Sequence, residues 1–162
     1  MSTKRDDRRA ALAAAVAEHL LARGLGESGV RALARAAGTS DRMLLYYFGS
    51  KEAVLAAAFE CIAAGLGAAL AEALPPGRHG RRGLLEGLLA AGRDPALRPA
   101  FSLWFEIIGR AVRGEAPYRE SARTIAAGFE AFIAERLPPD QRARASEVFA
   151  ELEGRLLLDL LR

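Results

Sequence analysis

Apolar residues recur at steps of three and four along almost the whole chain, the spacing of one buried face on an α-helix. Leu12, Val16 and Leu20 predict a first helix over about Asp6–Arg23, which the glycine-rich run from Gly24 to Gly29 ends. Val30, Leu33, Ala34 and Ala37 share one face of a short helix over 30–37. Gly38-Thr39-Ser40 interrupts it, and a second short helix follows over Asp41–Phe48. Gly38 suits the left-handed position at a helix end, and Ser40 can cap the next helix. After Gly49, Ser50 can cap a long helix over about Lys51–Leu74, with Leu55, Phe59, Ile62, Leu66 and Leu70 as its stripe.

The run from Pro75 to Gly80 is the clearest break. Further helices are expected over about Arg82–Ala91, Ala96–Arg113, Pro117–Leu137 and Asp140–Leu161, with Pro138-Pro139 separating the last two. The fold class is therefore all-α: three short helices, then longer ones. Many alanines and leucines with few β-branched or aromatic residues agree with it.

The stretch Val30–Phe48 is the most informative. A small residue at Ala34, a glycine four later and an apolar residue at Leu44 are what two short helices at a tight corner require. The small side chain permits close approach, the glycine turns the chain, and the leucine packs the second helix on the first. This is helix-turn-helix geometry, in which the second helix enters the DNA major groove. Leu44 and Phe48 share the inward face, leaving Arg42, Leu45 and Tyr46 on other faces, with Tyr47 beside the inward one. Arg42 has the two donors that match guanine O6 and N7, tyrosine hydroxyls reach phosphates, and Lys51 offers charge at the next helix start.

Charge sharpens this picture. The net charge is only +3, yet residues 1–51 hold nine Lys or Arg against five Asp or Glu, and the remainder is close to neutral. Lys4, Arg5, Arg8 and Arg9 oppose the dipole of the helix they begin, which favours a phosphate partner. No metal site is expected from two distant histidines, His19 and His79, and the single Cys61, and no cofactor is implied. Cys61 is expected to be buried and inert, His19 structural and His79 solvated. With no secretory signal and no stretch approaching a membrane span, a cytoplasmic protein without membrane contact is expected.

Residues 11–55, with Gly24, Val30, Leu33-Ala34, Ala37-Gly38, Ser40, Leu44, Phe48, Lys51 and Leu55 in order, resemble the DNA-binding domain of TetR-family transcriptional regulators. The resemblance implies a homodimeric repressor that binds a palindromic operator in double-stranded DNA. A small-molecule effector entering the carboxyl-terminal domain would release it. DNA contacts then fall to Thr39, Ser40, Asp41, Arg42, Tyr46, Tyr47 and Lys51. Three positions depart from the family pattern: Leu45 where a tyrosine is usual, Tyr47 where a histidine is usual, and Arg42 near a common small residue. Tyr46 and Tyr47 are expected to take over backbone contacts, and Arg42 to alter base preference.

The chain is thus expected to divide into residues 1–51, a helix-turn-helix module with the motif at about 29–48, and residues 52–162, a helical ligand-binding and dimerisation domain. Many relatives continue past the position of Leu161, so a short member or a missing end is expected. Phe101, Trp104, Phe105, Ile108 and Phe129 are the expected lining of an effector pocket. Glu106 and Glu130 read as helix-surface carboxylates. Val148, Leu152, Leu156 and Leu160, widened by Phe149, Leu157, Leu158 and Leu161, make the last helix too apolar for a singly packed surface helix, so it is expected to form the dimer interface. No catalytic motif is present, and an enzyme is not expected. The alternative is an all-α protein-interaction scaffold whose helical corner is only structural.

Overall fold

The computed structural model describes residues 4–162, and every regular element among them is helical. In chain order the α-helices are α1 (Lys4–Arg23), α2 (Val30–Ala36), α3 (Asp41–Phe48), α4 (Lys51–Ala73), α5 (Arg81–Gly92), α6 (Arg98–Ala111), α7 (Tyr118–Arg136) and α8 (Ala145–Leu160). Short 3₁₀ segments occupy Leu25–Glu27 and Pro139–Arg144. The expected bounds hold to within two residues except at the last helix. There the six residues Pro139–Arg144 wind more tightly, as 3₁₀, before α8 begins at Ala145. Pro138 and Pro139 carry no N–H to start an α-helical ladder. The Gln141 N–H instead bonds three residues back to the Pro138 carbonyl at 2.9 Å.

The chain divides into two compact units. The first runs through Ala63 and takes in Glu106–Ala122; the second comprises Ala64–Phe105 and Arg123–Arg162. In the first unit α1 packs on α2 and α3, which also pack on each other. Leu12, Val16 and Leu20 of α1, Leu33 and Ala34 of α2, and Leu44 and Phe48 of α3 are all buried, as are Val54, Leu55 and Phe59 of α4. Tyr118 from the inserted segment is also buried, its ring 5.9 Å from that of Phe59. The boundary expected at 51/52 lies one residue inside α4; this compact unit runs on to Ala63 and takes in a segment distant in sequence.

The core of the second unit gathers Leu66, Leu70 and Leu74 of α4, Leu84, Leu85, Leu88 and Leu89 of α5, Phe101 of α6, Ile133 of α7 and Val148, Leu152 and Leu156 of α8. Helices α5 and α8 approach closely because Gly92 has no side chain: a Cβ there would lie 2.5 Å from Leu156 Cδ2. Arg81 on α5 donates to the Glu151 carboxylate on α8 at 2.8 Å, and its backbone N–H bonds the Gln141 side chain at 3.1 Å. By length and composition α4 could cross a membrane. Here Val54, Leu55, Phe59, Leu66 and Leu70 are buried in protein interior, Ile62 is half-buried, and Glu60 and Glu72 interrupt the apolar run.

Cys61 is exposed, contrary to expectation. It follows Phe59 by two residues and so points roughly 200° around α4 from that buried ring. His79 is half-buried rather than solvated, its ring Nε2 lying 2.8 Å from the Pro75 carbonyl oxygen. His19 Nε2 lies 3.0 Å from the Glu27 carbonyl oxygen, the structural role expected of it.

Candidate nucleic-acid interface

The corner between α2 and α3 is built almost entirely from backbone. Gly38 adopts φ +62°, a conformation that suits glycine. Its N–H bonds the Arg35 carbonyl at 3.1 Å, and the Thr39 N–H reaches the Ala34 carbonyl at 3.0 Å. These two bonds form a Schellman motif that satisfies the last carbonyls of α2. Ser40 then caps α3, its Oγ accepting from the Met43 N–H at 3.2 Å. Ser50 does the same for α4, accepting from the Ala53 N–H at 3.1 Å. Helix α3 is therefore bounded by a fixed turn at one end and by the Gly49-Ser50 corner at the other. Leu44 and Phe48 anchor its inner face.

That anchoring decides what α3 presents to solvent. Arg42, Met43 and Tyr46 are exposed, Tyr46 by 61%, while Asp41, Leu45 and Tyr47 are half-buried. Before the helix, Ser40 is exposed and Thr39 half-buried; after it, Lys51 is half-buried in the first turn of α4. All seven residues expected to contact DNA thus lie on one short segment, with Ser40, Arg42 and Tyr46 the exposed ones. Met43 belongs to the same exposed face but escaped the sequence reading, although its three-residue spacing from Tyr46 signals it. Tyr46 and Tyr47 meet edge to face, centroids 5.4 Å apart.

Two arginines of α1 reach the aromatic residues of α3. The Arg5 guanidinium carbon stands 5.3 Å from the Tyr46 ring centroid, and that of Arg9 stands 4.9 Å from the Phe48 centroid. Elsewhere in this unit, Glu106 of α6 accepts the Leu25 N–H at 3.0 Å. Gly24, next to that bond, has φ 67° and ψ −167°, and a Cβ on it would lie 2.9 Å from Glu106 Oε1. Glu106 is a surface carboxylate as expected, but one with a structural partner 81 residues away.

The residues expected to line an effector pocket are distributed between the two units. Phe101 is buried in the second unit, and Phe105 and Phe129 pack against that core, Phe129 stacked on Phe149 at 6.3 Å. Trp104 donates its indole N–H to the Glu153 carboxylate. Burial raises the Glu153 carboxyl above its ordinary range, and the Trp104 bond acts in the opposite direction. Ile108 lies in the first unit. Of the residues expected at a dimer interface, Val148, Leu152 and Leu156 are buried in their own subunit's core and Leu160 packs against it. The apolar surface that α8 and its end leave open is Leu157, Leu158 and Leu161, with 41%, 55% and 76% exposure.

Comparison with known proteins places this geometry. Residues 12–58 match the family described as bacterial regulatory proteins, tetR family. A protein from Rhodococcus sp. assigned to the TetR family of transcriptional regulators is 25% identical with a TM-score of 0.75; the match covers 96% of this chain and 88% of that one. A transcriptional regulator from Rhodococcus sp. Rha1 is also 25% identical, with a TM-score of 0.65 over 98% of this chain and 84% of that one. A third, from Streptomyces coelicolor A3(2), shares the fold at 22% identity and a TM-score of 0.77, over 96% and 88% of the two chains. No curated protein sequence matches the chain. Residues 12–58 belong to the TetR family of bacterial regulatory proteins, and the chain that carries them has the fold of that family's transcriptional regulators.

Proposed function

We propose that this DNA-binding regulator is a ligand-responsive repressor that holds a palindromic operator as a homodimer. The observation that carries the reading is the outward face of α3, where Arg42 and Tyr46 stand exposed on a helix capped by Ser40 at its start and closed by Gly49 at its end. Arg42 reads a guanine edge in the major groove. Thr39, Ser40, Asp41, Tyr46 and Tyr47 line the approach to the backbone, and Lys51 adds charge at the start of α4. Two copies related by a twofold axis would set their α3 helices about 34 Å apart, in successive major grooves. The exposed leucines at the end of α8 support an association of this kind.

An apolar effector is the natural partner for the aromatic residues Phe101, Trp104, Phe105 and Phe129 of the second unit. It would act by binding one spacing of the recognition helices better than the other, with α4 as the moving element. Selection of bound sequences from random duplex DNA tests the whole reading. A palindrome with half-sites one helical turn apart is expected. Failure to enrich any duplex, together with no salt-dependent binding, would favour the interaction-scaffold alternative.

A further inference from the structure

The basic residues at the start of α1 carry an inference of their own, which rests on the DNA-binding reading above. Lys4, Arg5, Arg8 and Arg9 fall within an arc of about 140° on α1, and Asp7 falls outside it. All four are exposed. Arg5 and Arg9, one turn apart, are the two whose guanidinium groups stand over Tyr46 and Phe48 of α3. Phe48 is a buried anchor, but Tyr46 is open to solvent. A cation over a tyrosine ring is attracted to its π face. The arrangement therefore holds the Arg5 charge beside the ring of the most outward aromatic residue of α3.

We infer that Arg5 is a phosphate-binding residue of the DNA interface and that the Tyr46 ring is its platform. The occupant is the phosphate backbone of duplex DNA flanking the bases that α3 faces. A phosphate accepting from the Tyr46 hydroxyl would meet a pre-placed guanidinium, which can donate two parallel bonds to it. Arg9, held against Phe48, continues the same basic strip. This extends the interface beyond the helix-turn-helix segment and gives Tyr46 a positioning role besides its own contact.

The test measures duplex affinity against salt for the wild type, Arg5→Ala, Arg5→Lys, Tyr46→Phe, Tyr46→Ala and the combinations of Arg5→Ala with each tyrosine variant. Arg5→Ala should weaken binding about three- to tenfold on every duplex and flatten the salt slope by about one unit, with base preference unchanged. Arg5→Lys should keep the slope and recover only part of the affinity. Arg5→Ala should cost as much in Tyr46→Phe as in wild type, but less than about twofold in Tyr46→Ala. Wild-type binding with an unchanged slope in Arg5→Ala would overturn the assignment of Arg5. Equal cost in the Tyr46→Ala background would overturn the platform. Absence of any wild-type duplex binding would overturn the DNA reading itself and this inference with it. All substitutions lie on exposed side chains, and matched thermal melts confirm that each variant is folded.

Discussion

Gly24→Ala is expected to destabilise the protein through two separable effects, and Glu106 separates them. Gly24 sits at φ 67° and ψ −167°, a region open essentially to glycine alone. Forcing alanine into it costs about 2 kcal/mol. The new Cβ would also come within 2.9 Å of Glu106 Oε1. That carboxylate ends a flexible side chain and can swing aside, but only by giving up the 3.0 Å bond from the Leu25 N–H. A bond to a charged acceptor in this partly open setting contributes about 1 kcal/mol. Gly24→Ala should therefore cost about 3 kcal/mol and Glu106→Ala about 1 kcal/mol. The double variant should cost about 3 kcal/mol rather than 4, because the same bond cannot be lost twice. Urea unfolding of the four proteins, followed by helical circular dichroism, measures the cycle. Additivity to within about 0.5 kcal/mol would refute the reasoning, since it would mean that the Cβ and the carboxylate do not compete for the same space.

Other consequences are open to direct measurement. Arg42→Ala should lose about 1–3 kcal/mol of discrimination at one base pair, whereas Lys51→Ala should weaken all duplexes alike and flatten the salt slope by about one unit; binding titrations at several salt concentrations distinguish them. Replacing Leu158 and Leu161 together by aspartate should shift the particle mass in light scattering from dimer towards monomer with helix content intact, and an unchanged mass removes that face as the interface. Leu152→Ala, by contrast, opens a cavity in the second unit's core and should cost about 2–5 kcal/mol of stability in urea. Glu153→Gln should raise the melting temperature at pH 7. The native carboxyl is held above its ordinary range, so the native state binds this proton more tightly than the unfolded chain and loses that advantage as pH rises through the native value. The gain should vanish below about pH 4, where the carboxyl is protonated in both states.

Most of the fold is legible locally because each helix is delimited by local chemistry. Gly38, Ser40, Gly49 and Ser50 bound α2, α3 and α4 with bonds that span three to five residues, so the sequence carries both partners side by side. The 3₁₀ segment Pro139–Arg144, expected as α-helix from Asp140, also has a local cause, but apolar periodicity does not report it. A 3₁₀ turn and the first turn of an α-helix place the same few side chains in nearly the same directions, and only the missing proline N–H separates them. Cys61 departs from its expected burial for a related reason. Its neighbour Ile62 belongs to the expected stripe, but one residue is 100° of rotation on a helix.

What the periodicity could not supply is which helices meet. The stripe Val148, Leu152, Leu156 is apolar enough to suggest a subunit interface, yet α5 fills it within the same chain because Gly92 lets the two backbones close, as Gly87 lets α5 close on Leu74. A glycine inside a helical pattern reads only as a weakness in the helix; its use appears once the facing leucines, Leu74 and Leu156, are in place. The interface residues follow the same logic. Arg42 and Tyr46 are legible from their position opposite Leu44 and Phe48, a relation within eight residues. Arg5 over Tyr46 and Glu106 at Leu25 join positions 41 and 81 residues apart, and nothing near either partner announces the other. The basic start of α1 did signal a partner, through its opposition to the helix dipole. That charge pattern points to a phosphate, and the structure adds an aromatic ring from α3. The two are compatible because a guanidinium can stack by its face and donate from its edge, which an ammonium cannot do. For that reason Arg5→Lys separates the guanidinium's paired donors from its bare charge, while the Tyr46→Ala background tests whether the ring matters to DNA binding.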